Sequence, residues 1–123
     1  MATTVLVVDD HRTFRDTARL LLESEGFQVV GEAENGESAV EQAAALAPDL
    51  VLLDVQLPDI DGFQVARRVT GAQVAPTVIM VSSRDDSEFG PLVAASGARG
   101  FVTKAELSGD RLRALLDADT ADP

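Results

Sequence analysis

The sequence has no cysteine, tryptophan or tyrosine, and only one histidine, His11, and one lysine, Lys104. Without cysteine there is no disulfide framework, no thiol nucleophile and no thiolate metal site. A single histidine leaves no histidine cluster for a metal. Positive charge is scarce as well: 10 Lys+Arg stand against 21 Asp+Glu, a formal net charge of -11. Such a surface repels phosphate backbones and anionic lipid, which disfavours nucleic-acid and membrane binding and favours solubility. No apolar run approaches the ~20 residues of a membrane span. The first residues lead straight into a strand-like segment, so no signal peptide is expected and the protein is expected in the cytoplasm. What remains is 123 residues, 46% hydrophobic and 25% charged, enough for one domain of one sheet covered by helices.

Short β-branched runs alternate with helical patterns along the chain. Residues 4–8 form a continuous apolar run, as in a strand buried on both faces. From Arg12 the period changes, placing Phe14, Ala18, Leu21 and Leu22 on one helical face and Arg15, Arg19 and Glu23 away from it. Gly26 follows in the usual place of a left-handed helix cap. Residues 27–33 read as a less apolar strand, nearer an edge. Asn35 precedes the stripe Ala39, Val40, Ala43, Ala44 and Ala47 and is read as an N-cap rather than a hairpin residue, with Pro48 ending the helix. Residues 50–54 are a third strand, closed by Asp54. A loop with Pro58 and Gly62 leads to a short helix from 63 to about 69. Residues 77–81 are the fourth strand, followed by Ser82 and Ser83. The next helix is weak, with Ser87 as its cap and Gly90 and Pro91 in its first turn. Residues 100–103 are the fifth strand, and Leu112, Leu115 and Leu116 mark a last helix capped by Ser108.

Five buried-type strands, each followed by a helix, imply an α/β fold with a parallel sheet between helical layers. In such folds the site lies at the carboxyl ends of the strands, near the point where strand order reverses. There the sequence places Asp9 and Asp10 after strand 1, Asp54 after strand 3, Ser82 after strand 4 and Lys104 after strand 5. Clustered carboxylates are costly unless a cation or proton compensates them. An all-oxygen set of this kind suits Mg²⁺, and a metal beside a nucleophilic carboxylate suits phosphoryl transfer. His11 is read as a helix-start residue, because imidazole is a poor ligand for Mg²⁺.

From Val5 to about Leu116 the sequence resembles the receiver domain of two-component response regulators. The resemblance rests on Val7-Val8-Asp9-Asp10, Leu52-Leu53-Asp54, the loop Leu57-Pro58-Asp59-Ile60-Asp61-Gly62, Met80-Val81-Ser82, and residues 97–104 ending in Phe101, Val102, Thr103 and Lys104. It implies a doubly wound, flavodoxin-like (βα)5 fold with strand order 2-1-3-4-5. The receiver is expected over residues 1–118, with 119–123 an acidic tail. By resemblance Asp54 accepts a phosphoryl group from the phosphohistidine of a histidine kinase or phosphotransfer protein. Asp9, Asp10, Asp54 and the backbone carbonyl of Gln56 would hold Mg²⁺, with Mn²⁺ as a substitute, Asp10 directly and Asp9 through water. Ser82 and Lys104 would bind the phosphoryl oxygens, Lys104 also pairing with Asp54. Ser82 and the rotamer of Phe101 would act as the switch, altering the face made by the fourth helix, fifth strand and fifth helix. Gln56 and Arg84 would flank the water that hydrolyses the phosphoryl group, with the bulk of Arg84 expected to exclude it. The resemblance further implies an unspecified downstream protein and a phosphorylation-dependent homodimer.

Two features depart from the family pattern. Lys104 is followed by Ala105 rather than proline, so a trans bond is predicted there, the cis form costing ~2.5–4 kcal/mol. Phe101 lacks the hydroxyl of the tyrosine often found at that place. Competing readings are a flavodoxin-like cofactor protein, which the acids after strand 1 oppose by repelling a flavin phosphate, and an aspartate-nucleophile phosphohydrolase, whose general acid would stand where this chain has Gln56. A degenerate receiver is opposed by the intact acids, serine and lysine. The chain is read as either a stand-alone receiver or the receiver of a longer helix-turn-helix regulator.

Overall fold

The computed structural model describes residues 2–73, 75–83 and 89–117. Arg84, Ser87 and residues 119–123, all singled out in the sequence, lie outside the described residues. The elements follow in strict alternation: β1 Thr4–Val8, α1 Arg12–Ser24, β2 Gln28–Ala33, α2 Gly36–Leu46, β3 Leu50–Asp54, α3 Gly62–Thr70, β4 Thr77–Ser82, α4 Phe89–Ala95, β5 Gly100–Thr103 and α5 Gly109–Asp117. A 3-10 turn over Lys104–Glu106 links the last two. All four strand pairings are parallel, in the order β2-β1-β3-β4-β5, as expected.

The alternation of side chains divides the core into two layers. Val5, Val7, Leu50, Leu52, Ile79, Val81 and Val102 pack under α1 and α5, against Ala18, Leu22 and Leu112. Leu6, Val8, Val51, Leu53, Val78 and Met80 pack under α2, α3 and α4, against Ala39, Val65, Ala66 and Val93. Both faces of β1 and β3 are therefore dry, which is why these strands read as unbroken apolar runs. β2 is an edge strand, in keeping with its mixed composition, and its pairing with β1 carries a register shift between Val5 and Leu6.

Local signals set the helix ends. Asn35 Oδ1 accepts the Ser38 amide at 2.8 Å, and Ser108 Oγ accepts that of Arg111 at 3.0 Å, so both residues cap as expected. Gly26 takes φ +94°, the left-handed value that glycine adopts most easily. Before Pro48 the chain also turns left-handed at Ala47, φ 47°, a conformation that the sequence pattern did not indicate. No cis peptide bond occurs among the described residues, so Lys104–Ala105 is trans as predicted.

Candidate functional site

Register alone brings two of the acids together. Val8 pairs with Leu53, so Asp9 and Asp54 are the next residues on adjacent central strands. Alternation turns both toward the α1–α5 side, with Val5, Val7, Leu50 and Leu52. Asp9 is 0% exposed and Asp54 5%. Ser82, the last residue of β4, is 4% exposed and borders the same cleft. Lys104, one residue past β5, reaches back across the strand ends. Its Nζ lies 2.6 Å from Asp9 Oδ2 and 3.5 Å from Asp54 Oδ2. The ammonium also sits 4.4 Å from the ring centre of Phe14, a cation–π contact from α1 that adds to its anchoring.

The remaining carboxylate contacts are local. Asp9 Oδ1 accepts the His11 amide at 2.8 Å, and Asp54 Oδ1 accepts that of Gln56 at 3.1 Å. His11 does occupy the N-cap of α1, but its ring makes no cap hydrogen bond. Its Nδ1 stands 3.1 Å from both Asp9 Oδ1 and Asp10 Oδ1. Ligand atoms of Asp9, Asp10, His11 and Asp54 all fall within 4.8 Å of one another. The exposed Asp10 and Gln56 line a cleft of about 170 Å³ together with Asp54, Ser82 and Lys104. A larger cleft, about 300 Å³, lies between α2 and α3 and is lined mainly by Val40, Val69 and alanines, without a carboxylate. The smaller one is therefore the candidate site. Phe101 is half-buried and packs on the α2–α4 side of the core, in the strand row below Asp54.

Charge in this cleft is unbalanced. Three carboxylates face one ammonium, and burial with the neighbouring Asp9 charge pushes the Asp54 carboxyl up to about 6. The Gln56 amide and Lys104 pull in the other direction and only partly offset those effects. Asp9 Oδ2 is buried and has Lys104 as its ion-pair partner, yet it takes no hydrogen bond of regular geometry. An oxygen-rich, under-satisfied, net-negative cluster fits a hard divalent cation such as Mg²⁺.

The loop after β3 is fixed from two sides. Gly62 donates its amide to Val55 O at 2.8 Å, and a Cβ at Gly62 would lie 2.3 Å from Asp54 O and 2.9 Å from the Val55 Cα. Only glycine allows α3 to start this close to the strand end. Asp59 accepts the amides of Gly36 at 2.7 Å and Glu37 at 3.0 Å, tying the loop to the N-terminus of α2. Those two hydrogen bonds hold its carboxyl below the usual aspartate range. Gly62→Ala is expected to destabilise the fold by about 2–3 kcal/mol or more, since backbone rather than a movable side chain blocks the methyl. A urea titration showing an unchanged midpoint would contradict this close approach.

A family model described as the response regulator receiver domain matches residues 5–117. The chain belongs to that family. Receiver domains are signalling modules of two-component systems, and the expected fold, topology and family all hold for this one. The receiver is 40% identical over 101 residues to the response regulator GacA of Pseudomonas aeruginosa, covering 81% of this chain and 47% of GacA. The signal receiver domain of NarL from Mycobacterium tuberculosis superposes with a TM-score of 0.84 at 35% identity, covering 97% of each chain. CheY of Borrelia burgdorferi, solved in a complex with CheX, BeF3 and Mg²⁺, gives a TM-score of 0.82 at 25% identity over 95% of this chain and 88% of that one. The chain spans about half the length of the first curated relatives that it matches, from 47% to 52%. Among the described residues no helix is long and apolar enough to cross a membrane.

Every candidate site residue read from the sequence and described in the structure except Phe101 and Asp9 lines this cleft, and the carboxylate of Asp9 lies directly behind it. Three participants were missed. Phe14 was read as core on its helical period, though its ring also carries Lys104. Asp59 caps a helix more than twenty residues away, which no local pattern encodes. Arg15, placed on the outer side of α1, turns inward and donates to the Asp9 carbonyl.

Proposed function

We propose that this receiver is a phosphoacceptor in which Asp54 takes a phosphoryl group from the phosphohistidine of a histidine kinase or phosphotransfer protein. The observation that carries it is the buried Asp54 carboxylate at the end of the central strand, with Lys104 Nζ at 3.5 Å and the Asp9–Asp10 pair beside it. An oxygen of Asp54 attacks phosphorus in line with the phosphohistidine nitrogen. The new O–P bond forms as the N–P bond breaks, and the imidazole leaves with the electron pair and takes a proton from water. Asp9, Asp10, Asp54 and the Gln56 carbonyl are the groups that would hold Mg²⁺, with Mn²⁺ as a substitute. Such an ion would supply charge neutralisation for the transferring oxygens. Lys104 would bind a phosphoryl oxygen and Ser82 a second, with Ser82 and Phe101 forming the switch. The complex of the Borrelia CheY with BeF3 and Mg²⁺ supports the same ion and the same kind of group here.

The test is intact-mass spectrometry after incubation with Mg²⁺ and a small phosphodonor. The parent is expected to gain one phosphoryl group and Asp54→Ala none. Stoichiometric modification of that variant would move the acceptor elsewhere. A phosphohydrolase reading is disfavoured because an exposed amide, Gln56, stands where that class needs a carboxylic acid. Arg84→Ala is expected to lose its phosphoryl group faster than the parent at a similar rate of loading. Slower loss, followed by the same mass assay, would make Arg84 a catalytic aid instead.

The relatives' greater length, and the description of two of them, from Pseudomonas aeruginosa and Bordetella pertussis, as transcriptional regulators, favour a transcriptional regulator whose output lies in a further domain, with this receiver working in the cytoplasm through protein contacts. Its net charge of -11 argues against direct contact with nucleic acid or anionic membrane. Phosphorylation-dependent pairing of two receivers is the simplest output consistent with that arrangement.

A further inference from the structure

The helical period sends Arg15 to solvent, yet its side chain is only 13% exposed. Its Nη1 donates to the main-chain carbonyl of Asp9 at 2.8 Å, and its Nε donates to Glu32 Oε1 at 3.1 Å. Glu32, on the edge strand β2, is held in turn by Arg19, whose Nε donates to Oε2 at 2.8 Å. Burial raises the Glu32 carboxyl, but hydrogen bonds and charge from Arg19 and then Arg15 outweigh it, leaving the group below its ordinary range. The pair is thus ionised and geometrically fixed at neutral pH. The Asp9 carbonyl shares one rigid peptide plane with the amide nitrogen and Cα of Asp10. Holding that oxygen sets the direction in which Asp10 leaves the strand. Asp10 has little else to orient it: its carboxylate touches the ring of His11, whose side chain is 69% exposed.

We propose that Arg15 is a positioning residue for the divalent-cation corner of the site, with its guanidinium fixing the Asp9–Asp10 peptide and Glu32, backed by Arg19, fixing the guanidinium. This rests on the receiver reading above and assigns Arg15 no contact with the ion or the phosphoryl group. Two physical effects of removing Arg15 have opposite signs, which makes the proposal decidable. A cation close to a divalent-ion site repels the ion, so by charge alone its removal tightens binding. Loss of orientation loosens binding, and groups that aim a ligand typically contribute 10–100-fold in metal affinity. Lysine keeps the charge but lacks the planar fork that serves the carbonyl and Glu32 together.

The experiment is a titration of the metal-free chain with Mg²⁺ alone, followed by amide NMR shifts, on the parent, Arg15→Met and Arg15→Lys. Both variants are expected to bind Mg²⁺ about 10-fold more weakly. Their rates of Asp54 modification at saturating Mg²⁺ should return to within about threefold of the parent. Equal or tighter binding in either folded variant overturns the proposal, including the case in which a variant is less stable yet binds as the parent does. Should Arg15→Met fail to fold, Arg15→Lys carries the test by itself, since charge repulsion predicts no change there. A parent that binds Mg²⁺ and takes the phosphoryl group while the variants match it removes only the role of Arg15. A parent that does neither removes the receiver chemistry and this inference together.

Discussion

Lys104→Met is expected to slow phosphorylation of Asp54 by a small donor on the order of 10²-fold at saturating Mg²⁺. Removing a single fixed charge or donor aimed at developing oxygen charge costs about that much in enzyme active sites. Here the ammonium stands 2.6 Å from Asp9 and 3.5 Å from Asp54, at the edge of a low-dielectric cleft. Methionine keeps an apolar side chain of similar length but removes the only lysine or arginine ion-paired with either buried carboxylate among the described residues. Asp9 would then be a fully buried carboxylate facing a second one. Uncompensated buried charge of this kind costs about 3–5 kcal/mol. The full cost is not expected, because one of the two carboxyls can take up a proton instead. We therefore expect a loss of about 2 kcal/mol in metal-free buffer, with Mg²⁺ restoring part of it by occupying the place of the lost charge. Quenched-flow mass spectrometry reads the rate and urea titration the stability. A phosphorylation rate within threefold of the parent would mean that Lys104 is a structural counter-ion only.

The parts of this site that sequence reveals are those set by strand ends. A buried parallel strand must be apolar until it emerges, so an acid or an amine directly after such a run marks the rim of the sheet. That logic finds Asp9, Asp10, Asp54, Ser82 and Lys104, and it fixes β3 and β5 with the same limits that the structure has. Caps that act within three or four residues, as at Asn35 and Ser108, are equally visible. What sequence hides is lateral. Arg15 meets Glu32 only because β2 lies at the edge beside β1 and its residues sit under α1. Asp59 meets Gly36 only because α2 and α3 are neighbours on one face. Neither neighbour relation leaves a periodic trace. His11 is intermediate: its place at the helix start was legible, whereas the approach of its ring to two acids depends on a side-chain torsion that no pattern sets.

Asp54→Asn is expected to make the metal-free receiver more stable above pH 6, by about 2–3 kcal/mol. The folded chain holds the Asp54 carboxyl at about 6, against an ordinary value of 3.8, chiefly because burial and the Asp9 charge disfavour its ionised form. Between those values the folded state binds more protons than the unfolded state, so the sign is negative: stability falls as pH rises through that window. Above it the full cost of the buried charge persists, and below about pH 3 both states are neutral at this position and the cost disappears. Asparagine has no such charge. It also keeps an oxygen that can accept the Gln56 amide, now 3.1 Å from Asp54 Oδ1, so packing and local hydrogen bonding change little. The gain over the parent should therefore grow from near zero at about pH 3 to its plateau above pH 6. Mg²⁺ should narrow the gap at neutral pH, because it stabilises the ionised parent and has one ligand fewer in the variant. Urea titrations of both proteins across this range, in chelator and then with Mg²⁺, measure the two trends separately. A gain that is independent of pH would indicate relieved packing strain rather than a buried charge held ready for chemistry.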